Sequence, residues 1–379
     1  MLDIEKLSYW EKKAFFTEVD YLIIGAGIVG YSTALELRKL HSSAKIIILE
    51  RGNLPTGASS KNAGFACFGS ATELIDDLET IPEHEVWETV KLRWHGLQNL
   101  RSLIGDKELG LEIHGSWDLI SDTKSTLYQK TVSKLDYLNQ QIELITGEKD
   151  VYFIDSSVSS KFEFNQIETS IFNRLEGQID TAKMNSSFFR KVIAANIHVL
   201  FGYDAKKIER SSNLVEIETN YGKIESKKVA VCTNGFAKHF LPQEDIQPAR
   251  AQVIVTKPIL DLKIKGTFHY QQGYYYFRNI DNRILFGGGR NLDLKGETTT
   301  EIRNTEVIIN QLKKLLQTVI LPNQSVEVDM KWSGIMGVGT TKKPIIKEIS
   351  SGVYCGIRLG GMGVAIGSLV GKELANLMK

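Results

Sequence analysis

Residues 19–50 carry strand, glycine turn, helix, second strand and terminal acid in unbroken order, and no other stretch constrains the fold as strongly. Residues 19–24 (VDYLII) form a short, β-branched apolar run suited to a parallel strand buried on both faces. The run ends in GAGIVG, residues 25–30, which opens a helix-compatible stretch over 31–40, and residues 45–49 (KIIIL) make a second apolar strand ending at Glu50. This is a complete βαβ unit. Gly25 permits the tight turn, Gly27 lets backbone N–H groups approach a pyrophosphate, and Gly30 allows close helix–strand packing, with Ile28 and Val29 between them at the positive end of the helix. Glu50 follows Gly30 by 20 residues, where a carboxylate accepts hydrogen bonds from ribose hydroxyls and repels a 2′-phosphate. The fingerprint therefore predicts a dinucleotide other than NADP, and leaves FAD and NAD open.

The loop that follows, TGASSKNAGF at 56–65, is rich in small and polar residues. Read as an ordinary Ser/Gly loop it carries nothing; read with the fingerprint, Ser59, Ser60, Asn62, Ala63, Gly64 and Phe65 make a second contact along an extended dinucleotide, toward a flavin ring. Residues 71–145 show amphipathic helical patterning, with Val86, Val90, Leu97, Leu100, Leu103 and Ile104 in register and Trp87 and Trp94 interleaved. Strands are expected at 198–201, 214–219, 223–225 and from Lys228 to the small residues before Gly235. Alternation over 252–256, 273–278 and 283–288 predicts antiparallel strands, followed by a helix near 305–318; glycines at 356–363 precede a final helix over 364–378. The expected class is α/β (α+β): a Rossmann-like dinucleotide domain with an inserted antiparallel-sheet substrate domain.

Two domains also fit the length, 379 residues. With 46 basic against 45 acidic residues the net charge is +1, which supplies no field for nucleic acid and no polybasic membrane anchor. Cys67, Cys232 and Cys355 are far apart and show no CxxC or Cys/His spacing, so neither a disulfide framework nor a metal site is expected, and a reducing cytoplasm fits. The N-terminal stretch lacks an apolar signal core and no run of 18 apolar residues occurs, so the chain reads as soluble, unprocessed and cytoplasmic.

Taken together, GAGIVG with Glu50, the GASSKNAG loop, VAVCTNG ending at Gly235, YYYFR followed by RILFGGGRN, and RLGGMGVAIG resemble the D-amino-acid-oxidase-like flavoproteins, which include glycine oxidase, sarcosine oxidase and D-amino-acid dehydrogenase relatives. The resemblance spans nearly the whole chain. It implies FAD, held by a domain built from residues 1–75, 146–240 and 331–379, with 76–145 and 241–330 forming the substrate domain. It adds Arg51, Ala205, Thr233, Asn234, Gly361, Met362, Gly363 and Val364 to the cofactor contacts, with the glycines at 360, 361 and 363 at the flavin edge that becomes anionic on reduction.

The resemblance further implies oxidation of the CH–NH bond of an amino acid or secondary amine by hydride transfer to flavin N5, with the amine neutralised by desolvation and without a dedicated base. The acceptor is oxygen or another oxidant. Oxidation of a hydroxy acid, or a non-catalytic flavin protein, are the alternatives. Period-2 geometry puts Tyr274, Tyr276 and Arg278 on one strand face, a set suited to a substrate carboxylate, with Arg358 and Arg250 as alternative anchors. His269 is the one histidine near that strand. The segment WSGIMG at 332–337 lacks Cys and residues 56–65 lack His, where relatives attach the flavin, so non-covalent FAD is expected; Leu285 stands where sarcosine-oxidase-like members carry a lysine. Phe65, Phe68 and Met336 are candidate pocket walls.

Overall fold

A computed structural model of the protein describes residues 4–211 and 213–379; the first three residues, part of the N-terminal stretch read above, lie outside the described residues. The apolar runs of the βαβ unit do become the centre of a parallel sheet. Val19–Ile24 pairs in parallel with Ile46–Glu50 on one side and Gly222–Val231 on the other, and His198–Phe201 and Val353–Ile357 extend the sheet, also in parallel. Ile345–Ser350 closes one edge antiparallel, and Ala205–Ser211 and Leu214–Thr219 continue from the long strand at 222–231, which absorbs the two shorter strands expected there. Leu22, Ile23, Ile47 and Ile48 are completely buried, as two covered faces require.

The helix Ile28–Leu40 packs against the last helix, Gly363–Leu377, and the 22-residue helix Glu83–Ile104 lies across the latter. Contact is close where side chains are absent. A Cβ on Gly30 would overlap the carbonyl oxygen of Gly25, and one on Gly96 would overlap that of Ala365. Glycine at 30 thus seats the helix on the turn, as the fingerprint predicts.

The second sheet runs in the order 328–338, 247–256, 283–288, 275–280, 267–270, 116–120, 169–173, 152–154, antiparallel except between 116–120 and 267–270. One face is covered by Glu306–Leu315 over an aromatic core in which Phe268 stacks on Phe277 at 4.7 Å between centroids, with Trp117 on the far side of Phe268. Ser116–Ile120 was expected as helix. It is buried along its whole length, and Asp118, whose carboxylate accepts from the Thr72 amide and hydroxyl at 3.0 and 2.6 Å, breaks the apolar pattern that would have marked a strand.

The sheets also cut across the expected domain boundaries. Tyr152–Ile154 and Thr169–Asn173, within the 146–240 segment, belong to the second sheet, as does Val328–Val338, most of which falls within 331–379. Glu83–Ile104, expected in the substrate domain, shares its core with the dinucleotide sheet's helices. Among the described residues no helix is long and apolar enough to cross a membrane.

Candidate active site

A cavity of about 990 Å³ opens at the C-terminal ends of the parallel strands, bounded there by Ile24, Gly25, Leu49, Glu50, Cys232 and Thr233. This is where open α/β sheets bind ligands. Glu50 is buried at its floor: Oε2 accepts from the Ala26 amide at 3.2 Å and Oε1 from Gly52 at 3.0 Å, which fixes the carboxylate's direction. Gly25 has φ +111°, a conformation that needs glycine, and a Cβ on Gly27 would meet Ser59 Oγ at 2.9 Å. Ser59 Oγ itself accepts from the Ile28 amide at 2.9 Å.

The 56–65 loop folds back over this turn. Asn62 shapes it, its Oδ1 accepting from Gly64 N–H at 2.8 Å and Thr181 Oγ1 at 2.9 Å while its Nδ2 donates to the Ser59 carbonyl at 2.7 Å. Ser60, Ala63, Gly64 and Phe65 line the cavity, as do Val29, Arg51, Ala205, Asn234, Gly361, Met362, Gly363 and Val364; Gly30 does not, because its role is packing. The Arg51 guanidinium lies 3.8 Å over the Phe236 ring. Thr233 Oγ1 is buried and finds no hydrogen-bond partner among the described residues, whereas Asn234 Oδ1 accepts from the amides of Arg358 and Leu359 and so acts as a strut. The helix Gly363–Leu377 starts at the cavity, which presents its free N–H groups and positive dipole end. An acid aimed at one end, a glycine cradle, a partnerless hydroxyl and a helix N-terminus suit the ribose, pyrophosphate and flavin edge of FAD.

At the other end Phe65 meets His269 and Tyr276 edge to face, with centroids 5.4 and 5.5 Å apart. Burial pushes His269 down to about 4 against the opposing pull of Glu73, and pushes the Tyr276 phenol up to about 12. Both are uncharged near neutral pH. Tyr274 stands half-exposed at the rim, Met336 lines the wall, and Phe68 packs instead against Trp94.

The anchors expected for a carboxylate are corrected. Arg278 is 3% exposed and outside the cavity, with Nε on the Ala63 carbonyl and Nη2 on that of Ile179 at 3.1 Å, so it ties the 56–65 loop to its support. Arg358 is likewise outside, ion-paired to Asp245 at 2.6 Å with Nε on the Lys343 carbonyl. Arg250 forms a fully buried pair with Glu297, also at 2.6 Å. Leu285 does not line the cavity; it packs behind the wall with Val253 and Val255.

Sequence reasoning missed Arg290, Glu73, Arg93 and Lys342, all of which line the cavity. Arg290 Nε is buried and unpartnered among the described residues; the residue lies within the RILFGGGRN segment that carries part of the family resemblance. Glu73 accepts from Lys342 at 2.8 Å and faces Arg93 at 3.4 Å, joining parts of the chain too distant for any sequence pattern to link.

A family described as DAO, FAD dependent oxidoreductase, matches residues 20–377. The chain is 21% identical to the probable oxidoreductase OrdL of Haemophilus influenzae, over 94% of this chain and 82% of that protein. It is 20% identical to the gamma-glutamylputrescine oxidoreductase of Escherichia coli, over 95% of this chain and 83% of that one. Its fold is similar to that of glycine oxidase from Geobacillus kaustophilus, with a TM-score of 0.77 at 16% identity, covering 95% and 94% of the two chains.

Proposed function

The chain belongs to the family of FAD-dependent oxidoreductases, and from that premise we propose that it oxidises the CH–NH bond of an amino acid or other amine, with FAD bound non-covalently. The observation that carries this reading is the uncharged aromatic wall of Phe65, His269 and Tyr276 at the end of the cavity opposite Glu50. An ammonium group entering such a wall loses hydration, which favours its neutral form and supplies the lone pair that oxidation requires. Bound FAD supplies the two-electron acceptor for the hydride that leaves the substrate's α-carbon. Glu50 holds the ribose, the turn at Gly25 and Gly27 admits the pyrophosphate, and the N-terminus of Gly363–Leu377 favours negative charge at its mouth. The dinucleotide sheet with its helices is the cofactor-binding part, and the second sheet contributes the substrate wall.

With Arg278, Arg358 and Arg250 engaged elsewhere, Arg290 is the arginine proposed to receive a substrate carboxylate. Arg290 lines the cavity wall that also carries Tyr274, and its buried Nε has no partner among the described residues. The names of two similar proteins, a gamma-glutamylputrescine oxidoreductase and a glycine oxidase, support an amine or amino acid as the substrate class.

An anaerobic titration of the yellow protein against amino acids, N-methylated amines, diamines and hydroxy acids tests the proposal. Bleaching of the oxidised flavin band by a nitrogen compound supports it, and readmitted air then separates an oxidase from a dehydrogenase. Bleaching by hydroxy acids alone overturns it.

A further inference from the structure

Behind Phe65, three side chains from distant parts of the chain converge. The Cys67 thiol, a Glu176 carboxylate oxygen and a His269 ring nitrogen all lie within 4.8 Å of one another. Local pairing explains the meeting. Phe65–Ala66 pairs with Gly177–Gln178, which brings Cys67 beside Glu176, and Thr267–Tyr270 delivers His269. Cys67 is 3% exposed and Glu176 is completely buried.

The polar atoms of this cluster are unevenly satisfied. Glu176 Oε1 accepts from the amides of Phe68 and Gly69 at 2.7 and 2.9 Å, which hold the carboxylate in place, while its Oε2 has no partner among the described residues. His269 Nε2 is also buried without one. A buried polar atom left unsatisfied costs about 1–3 kcal/mol, so Glu176 Oε2 and His269 Nε2 each gain from a bridging group. Sulfur, carboxylate oxygen and imidazole nitrogen together are electron-pair donors to a metal.

We propose that Cys67, Glu176 and His269 form a binding site for a divalent cation of the zinc class. The set supplies three protein ligands of the types zinc takes, leaving a fourth position open. A thiolate and a carboxylate balance the ion's two positive charges. Binding forms a zinc–sulfur bond and releases the Cys67 thiol proton to solvent, with no change of oxidation state. Zinc–ligand distances of about 2.0–2.3 Å require the three side chains to draw together by a small rotation. Cys67 and His269 also line the large cavity, so the ion enters from there and its open position faces the cavity. The separations in sequence, 67, 176 and 269, explain why no metal spacing is visible in the chain.

The site shares His269 with the wall of the proposed oxidation, so the test reads metal, not turnover. Holoenzyme freed of metal with a chelator is dialysed against zinc chloride, and bound zinc is measured by mass spectrometry. One zinc per chain is expected, with affinity falling at least about tenfold in Cys67→Ser and in Glu176→Gln and unchanged in Cys355→Ser. Flavin content identifies which variants are folded. X-ray absorption at the zinc edge of the wild-type protein serves if the variants do not fold, and should find one sulfur neighbour with the remainder nitrogen or oxygen. Absence of zinc above the buffer level, equal binding by folded Cys67→Ser, or a shell without sulfur overturns the proposal and leaves the cluster to water.

Discussion

Arg278 and Arg290 lie twelve residues apart in different settings, because one guanidinium is held by backbone carbonyls and the other belongs to a residue that lines the cavity. Replacing Arg278 with Met removes the hydrogen bonds to the Ala63, Ile179 and Asn279 carbonyls, so unfolding should become easier by about 2–3 kcal/mol, read from the urea midpoint. The Michaelis constants for a carboxylated substrate and for its decarboxylated amine should then move together. Replacing Arg290 with Gln should instead raise KM for the carboxylated substrate by about 10–100-fold, the equivalent of one lost charged hydrogen bond, and leave the simple amine unaffected. Equal effects on both would remove Arg290 from the site. Glu50→Ala should weaken FAD binding about tenfold or more, measured by flavin release on dilution, and unchanged retention would refute the ribose contact. Glu50 and the glycines were legible because their partners are local: Ala26 and Gly52 hold the carboxylate from either end of one βαβ unit. Arg278 was not, since two of its three carbonyl partners stand 215 and 99 residues away.

Elements with a single period were also legible. The last helix was expected at 364–378 and spans Gly363–Leu377, and the strand expected at 283–288 has those bounds, although all of it but Arg283 is buried. Ser116–Ile120 was not legible because a strand buried on both faces has no alternation, and its aspartate is explained only by Thr72, 46 residues before it. The crossing of Glu83–Ile104 over Gly363–Leu377 was equally invisible, although its cause is one missing side chain. Gly96→Ala would drive a methyl group into the Ala365 carbonyl and the Ile366 backbone, in the first turn of the helix whose N-terminus faces the cavity. Overpacking of this kind costs about 1–3 kcal/mol, so the denaturation midpoint should fall with its slope unchanged. Flavin affinity should fall as well, because the helix start is displaced. Loss of stability with full flavin affinity would show that the helix yields elsewhere.

At the scale of the molecule, the fingerprint and the later strand blocks announced two sheets, but the exchange of segments between them depends on which faces are buried in three dimensions. The charges that join those segments could not be read at all. Glu73 on the helix Ala71–Thr80 meets Arg93 on Glu83–Ile104 and Lys342 on the loop between Val328–Val338 and Ile345–Ser350, so one carboxylate links three separate parts of the chain at the cavity wall. Burial alone would raise its pKa, but Arg93 and Lys342 outweigh it and hold Glu73 down at about 2, below the ordinary 4.5. A carboxyl group whose folded pKa is depressed contributes stability that is complete above the unfolded value and vanishes as pH falls through the folded one. The window therefore runs from pH 4.5 down to about 2, and the depression corresponds to about 3 kcal/mol. Wild type should lose that amount across this window relative to Glu73→Gln, whose side chain cannot titrate, while the difference between the two proteins stays constant above pH 5. Urea unfolding at stepped pH measures it directly. Parallel curves below pH 4.5 would mean that solvent, and not Arg93 and Lys342, sets the charge of Glu73, and the link between the three segments would then carry no net energy.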